Sequence, residues 1–244
     1  MKPRRYVALY RWDEELPPDA LMRMILALRE ILQFQPNRAF LTKFDGSRKK
    51  SPRISGRTYW IELASYFVDF DSFSLSEFDK TWPGNCRGTM TIRFISGKTM
   101  LSFAHDHNIL TTEVVGRAVS CALEYMSPRL GFGDVDIGLN PDLFPSGITT
   151  FDNDERSDRA IRLKRGLKEN QYHVGRLLDV MEFNLITPAL AKRLVDGEKF
   201  GVWAAQRAGC SVHLYKNDYM LWRVNAECRP AIRRKLSEME MIFE

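Results

Sequence analysis

"GTMTIRFISGKTMLSF", residues 88–103, decides how the fold is read. Two β-prone runs flank Ser96-Gly97, and the stretch reads as a β-hairpin turning at that pair. A connection this short forces the two strands antiparallel. Outward in both directions the same logic holds. Upstream, "RTYWIELASYFVDFDSF" (57–73) reads as a long aromatic strand region, and Arg38–Phe44 and Arg5–Trp12 as further strands. Between the last two, Leu21, Met24, Ile25, Leu28, Ile31 and Leu32 recur at three and four residues, which predicts one helix. Pro17 and Pro18 suit its first turn, and Asp19 suits the positive end of its dipole.

Downstream, Val114, Val115, Ala118, Val119, Ala122, Leu123 and Met126 mark a second helix over 111–126, capped by Thr111 or Thr112. Gly133–Leu139 reads as a short strand. Asn140–Asp158 is rich in turn formers and reads as a loop, as does the basic stretch Asp45–Gly56; "RAIRLKRGLKEN" (159–170) reads as a short helix. Thr187-Pro188 opens a helix expected to stop at Gly197. Cys210–Lys216 and Tyr219–Asn225 form a hairpin through Asn217-Asp218. Pro230 opens a last helix with Ile232, Leu236, Met239 and Ile242 on one side. The expected fold class is α+β, mostly antiparallel sheet with helices packed on one face, and residues 1–244 are expected to form a single domain.

The composition is that of a folded globular chain, with 44% hydrophobic and 27% charged residues. The net charge of +5 is unevenly spread. Residues 1–57 carry 13 Lys and Arg against six acids, and residues 156–176 carry seven bases. Residues 58–79 and 132–155 carry acids and no base. Patches of both signs suit recognition of another protein as well as of RNA. The four cysteines, at 86, 121, 210 and 228, have no C-x-x-C spacing, which argues against a zinc knuckle or a redox motif. Cys121 sits in an apolar helical run and reads as a core residue. The first residues lack a long apolar run and a cleavage site, and no stretch approaches 18 apolar residues. A cytoplasmic location with reduced thiols is expected.

The most enzyme-like cluster is His105-Asp106-His107. Two histidines at i and i+2 can share a metal, with a carboxylate orienting one of them. A closed site needs more ligands than this spacing supplies, so a polar turn is the expectation. Asp152, Asp154, Glu155 and Asp158 fail the EF-hand pattern, because Ser157 and Leu163 stand where Gly and Glu are required. Asp69 and Asp71 lie two apart, with no E-x-K partner close behind. No Walker, H-E-x-x-H, G-x-S-x-G or G-x-G-x-x-G motif is present. No catalytic residue, cofactor or metal site is expected.

Four stretches together resemble the type VI secretion immunity family, the DUF3396-type proteins of Gram-negative bacteria. "YRWDEELPPDALMRMILALREIL" is similar to its early strand, aspartate turn and helix. "ISGKTMLSFAHDH" with "VVGRAVSCALEYMSPRLGFGDVDIGLN" looks like its central strand, helix and Gly-containing segment. "VMEFNLITPALAKRLVDG" looks like its late segment, although Glu182-Phe183 replaces Trp-Leu and Asp196-Gly197 replaces Gly-Gly. "CSVHLYKNDYMLWRV" resembles its closing hairpin. The resemblance implies a non-enzymatic immunity protein that occludes the active site of a cognate secreted toxin, such as a nuclease, in the cytoplasm. Its contact surface is expected at Asp69, Asp71, Asp152, Asp154, Glu155 and Asp158, which could mimic substrate phosphate. Two other classes compete. One is a nucleic-acid-binding module using basic segments 48–57 and 156–176, with binding that falls steeply with salt. The other is a metal-dependent enzyme centred on His105 and His107.

Overall fold

A computed structural model describes residues 4–12, 16–42, 48–49, 72–81, 86–95, 98–136 and 175–243. The fold class is α+β, built on extensive antiparallel pairing. The chain divides into two compact units. The first comprises residues 1–6, 10–127 and 136–138, and the second residues 7–9, 128–135 and 139–244. Of the expected strand region at 57–73, residues 57–71 lie outside the described residues, as do the loop Asn140–Asp158 and the helix at 159–170.

In the first unit, β1 (Arg4–Trp12) neighbours β6 (Lys98–Asp106). The order then runs through β5 (Cys86–Ile95), β4 (Ser72–Phe78), β2 (Arg38–Thr42) and β3 (Arg48–Lys49). The hairpin reading of residues 88–103 holds: Ile95 pairs with Lys98, and Thr91 with Ser102. The cross-strand pairs Met90–Phe103 and Ile92–Leu101 are buried apolar partners, the unit of sheet stabilisation. Arg48–Lys49 departs from the expected loop, because it pairs with Leu41 and Thr42. Main-chain pairing does not depend on side-chain polarity, and charged residues suit a strand with one free side.

The first predicted helix is α1 (Pro18–Ile31). Pro17 precedes it in an extended conformation, and Asp19 pairs with Arg23 one turn on at 3.0 Å. Leu21, Met24, Ile25 and Leu28 are buried, while Ile31 at the end of the stripe is only half-buried. The second helix, α2 (Thr112–Tyr125), is capped by Thr111, whose hydroxyl oxygen accepts the Val114 amide at 3.3 Å. Its buried stripe of Val115, Ala118, Val119 and Ala122 packs with α1. Each fully buried apolar side chain of this size contributes about 1.5–3 kcal/mol for Val or Leu. Cys121 is buried as expected.

In the second unit the order is β11 (Cys210–Leu214), β12 (Met220–Val224), β8 (Phe183–Ile186) and β7 (Leu130–Asp136). The core gathers Leu177, Ile186, Phe200, Trp203, Trp222 and Leu236. Phe200 meets Trp222 edge to face at 5.5 Å and stacks on Trp203 at 5.8 Å. Thr187 caps a helix as expected, its hydroxyl accepting the Leu190 amide, but that helix, α3 (Pro188–Ala191), is a single turn. The expected stop at Gly197 is corrected. Asp196 and Gly197, with φ of 53° and 83°, form a two-residue turn between β9 (Leu194–Val195) and β10 (Glu198–Lys199). Asp-Gly with both φ positive is the preferred two-residue hairpin turn, and here it prevails over helix continuation. The chain then enters α4 (Phe200–Ala205), which buries Phe200, Trp203 and Ala204 at helical spacing.

The β11–β12 hairpin turns through Asn217 and Asp218, both at positive φ, as expected. The last helix, α5 (Arg229–Glu238), buries Ile232 and Leu236. Ile242 reaches the core from beyond the helix, after a turn at Glu240 with φ 53°, and bridges to Leu177.

Candidate functional site

The His105 neighbourhood is a packed polar cluster. His105 is the penultimate residue of β6 and is 2% exposed. Its ring lies against the backbone of Gly88: a Cβ there would fall 2.7 Å from the ring carbon Cδ2. Phe34 meets the ring edge-on at 6.1 Å between centroids. Nδ1 accepts the Asp106 amide hydrogen at 2.9 Å, so the ring N–H belongs to Nε2. Nε2 points at the Glu77 carboxylate from 3.5 Å, an ion-pair distance too long for a good hydrogen bond.

Glu77 also accepts the Gln35 amide at 2.9 Å and faces Arg87 at 3.4 Å. A register shift at Glu77/Phe78 leaves Arg87 as the extra residue of a bulge: Glu77 pairs with Gly88 and Phe78 with Cys86. Burial raises the Glu77 pKa. The interactions with His105, the Gln35 amide and Arg87 outweigh it and hold the carboxyl below its ordinary value.

This arrangement fits a cluster that ties β4, β5 and β6 to the segment after α1. His107 is half-exposed, with Nδ1 3.6 Å from Asp106. Asp106 in turn accepts the Asn108 amide, the local bond of a polar turn. Among the described residues no three His, Cys, Asp or Glu side chains are grouped as metal ligands. Among the described residues, therefore, no third and fourth ligand joins His105 and His107.

Among its described residues the second unit holds three buried carboxylates, each facing an arginine. Asp179 meets Arg233 at 2.9 Å, Asp134 meets Arg229 at 3.0 Å, and Glu182 meets Arg223 at 3.6 Å. Asn184 donates to Met181 O and accepts from Met181 N. A buried charge is retained where a partner compensates it. The signal was present in "LLDVMEFNLI" (177–186), an apolar run carrying two acids. Only the fold reveals which arginines meet them.

Asp69, Asp71, Asp152, Asp154, Glu155 and Asp158, the expected contact residues, lie outside the described residues, as do most of basic segments 48–57 and 156–176. Trp203 and Trp222 are core. Cys210, Cys228 and His213 reach the surface to different degrees, and the two cysteines are free thiols. The described surface offers an open groove of about 680 Å³ lined by Arg11, Leu16, Pro17, Ala20, Arg23, Glu124 and Tyr125. Its Arg23 is already paired with Asp19. Sequence reasoning did not foresee the surface of β11, whose residues are half-buried or exposed along its whole length. No described helix is long and apolar enough to cross a membrane.

No family model matches the sequence, and no curated protein matches it by sequence. The fold has a counterpart among solved structures. It is similar to "Pseudomonas aeruginosa T6SS protein PA0821", with a TM-score of 0.63 over 99% of this chain and 74% of that one, at 15% identity. The two chains share a fold.

Proposed function

We propose that this chain is an immunity protein that binds a cognate type VI secreted toxin and blocks it by covering its active site. The fold likeness to a type VI secretion system protein over 99% of the chain carries the reading. The resemblance of its four sequence stretches to the immunity family supports it independently. The described polar groups are consistent with it: the buried carboxylates of the second unit face arginines, and Glu77 faces His105 and Arg87. Inhibition by occlusion needs a surface and tight binding, not a catalytic group, and the chain acts without a cofactor. Asp69, Asp71, Asp152, Asp154, Glu155 and Asp158 are the proposed contacts to a cationic toxin site.

Co-expression with the protein encoded beside this one tests the reading. The neighbour alone should arrest growth, and this chain should restore it and elute with the neighbour as one stoichiometric complex. A harmless neighbour, or one that does not bind, refutes the proposal. Retention of this chain on immobilised nucleic acid, lost with rising salt, would favour the nucleic-acid module instead.

A further inference from the structure

The exposed large apolar side chains of the described residues all fall between positions 194 and 214: Leu194, Val202 and Leu214, the last 62% exposed. At the end of that stretch lies β11, the last strand of its sheet order. Natural sheets protect such a strand with lysine, proline, a bulge or extreme shortness. β11 uses none of these. "CSVHL" has no Lys, Arg, Asp, Glu or Pro, and its five pairs with β12 are in unbroken register. β3, which also ends the order, is two residues long and both are bases.

The ladder shows which groups face outward. Tyr215 N donates to Tyr219 O at 2.7 Å, and Asn225 N donates to Gly209 O at 3.1 Å. Antiparallel strands alternate, so the main-chain groups of 209, 211, 213 and 215 turn to β12, and those of 210, 212 and 214 turn away. Cys210 N donates to Arg207 O. The outward amides of Val212 and Leu214 meet no partner among the described residues.

We propose that the outer edge of β11 is a docking edge, on which an extended segment of a partner protein adds one antiparallel strand. The occupant is uncharged over about five residues, as the strand it faces is, and carries a carboxylate toward each end. The flanks supply the charge argument. Arg207 and Lys216 lie exposed three residues before and two residues after the strand. Arg207 is held in place over the Trp203 ring at 4.2 Å. Asp218 comes only after the turn has begun to return toward β12. A second copy of this chain fits less well: pairing all five residues of two β11 strands about Val212 sets Lys216 of each beside Arg207 of the other, base against base, at both ends. The inference rests on the reading of this chain as a binding protein, and names one surface that binds.

The test uses the full chain and a displayed library of random heptapeptides, independent of any toxin. Enriched peptides are expected to have an uncharged, β-prone centre and an acid at each end. Adding one of them should slow hydrogen exchange at the Val212 and Leu214 amides and leave Ser211 and His213 unchanged. Val212→Pro removes an outward donor and keeps the bonds to β12, so it should weaken that peptide by about tenfold or more. The exchange measurement needs no variant and stands if Val212→Pro fails to fold. Peptides that bind Val212→Pro equally well, or protection elsewhere, would overturn the proposal. So would no enrichment, or a dimer that Val212→Pro turns into monomer. Growth rescue by the unaltered chain together with failure here would sink this inference and leave the immunity reading intact.

Discussion

The two units treat the same problem, a strand with a free side, in opposite ways. The first ends its order in β3, two bases long, and sets one buried carboxylate, Glu77, against both His105 and Arg87. The second ends in β11, uncharged and exposed, beside β12, which is buried at Leu221, Trp222 and Val224. It distributes its buried acids to three separate arginines. Adjacent strands of one hairpin thus differ sharply in burial, and the difference comes from their neighbours. β12 lies between β8 and β11, with an aromatic core beneath it, whereas among the described residues β11 has a partner strand on one side. An edge left open while its neighbour is firmly anchored is suited to receive another strand.

The contrast is broken most severely at Trp222. Trp222→Ala removes the ring that Phe200 and Trp203 pack on, and should cost about 3–5 kcal/mol. The urea midpoint checks it, and a loss below about 1 kcal/mol would mean that β12 is not the anchored strand described. In the first unit, Gly88→Ala drives a methyl into the His105 ring and should cost about 1–3 kcal/mol. His105→Ala in the same chain should relieve part of that cost, which a double-mutant cycle would read as coupling.

The pH dependence separates the clusters further. The folded-state pKa of Glu77 is depressed, so its contribution is fully present above the unfolded value near 4.5 and is lost as pH falls through the folded one. Glu77→Gln should therefore be less stable at neutral pH and lose less stability between about pH 6 and about pH 3 than the unaltered chain. Equal acid slopes in the two proteins would remove Glu77 from the account. The smallest effect is expected at the open edge itself: Leu214→Ser should change stability by no more than about 0.5 kcal/mol, because the side chain is already in water. A large loss there would show that β11 is covered, and would count against docking.

Much of the local structure was legible from residues alone, because it is decided within a few positions. The 88–103 hairpin, the stripe of α1, the Thr111 and Thr187 caps and the Asn217-Asp218 turn all depend on side chains next to the backbone they shape. The reading failed where two local signals competed. At residues 187–197 a helix start met an Asp-Gly turn, and the turn ended the helix after one turn. In the same way, Ile242 continued a helical stripe by spacing but left the helix at Met239.

What sequence determined by itself was the antiparallel α+β character and the capped helices. Tertiary structure alone decided that Asp179, Asp134 and Glu182 meet Arg233, Arg229 and Arg223, that Gly88 is the floor for His105, and that β11 ends the strand order. The physical reason is range. Turn chemistry and periodicity act over a few residues, whereas the Asp134–Arg229 pair spans 95 positions and exists only once the strands have found their order.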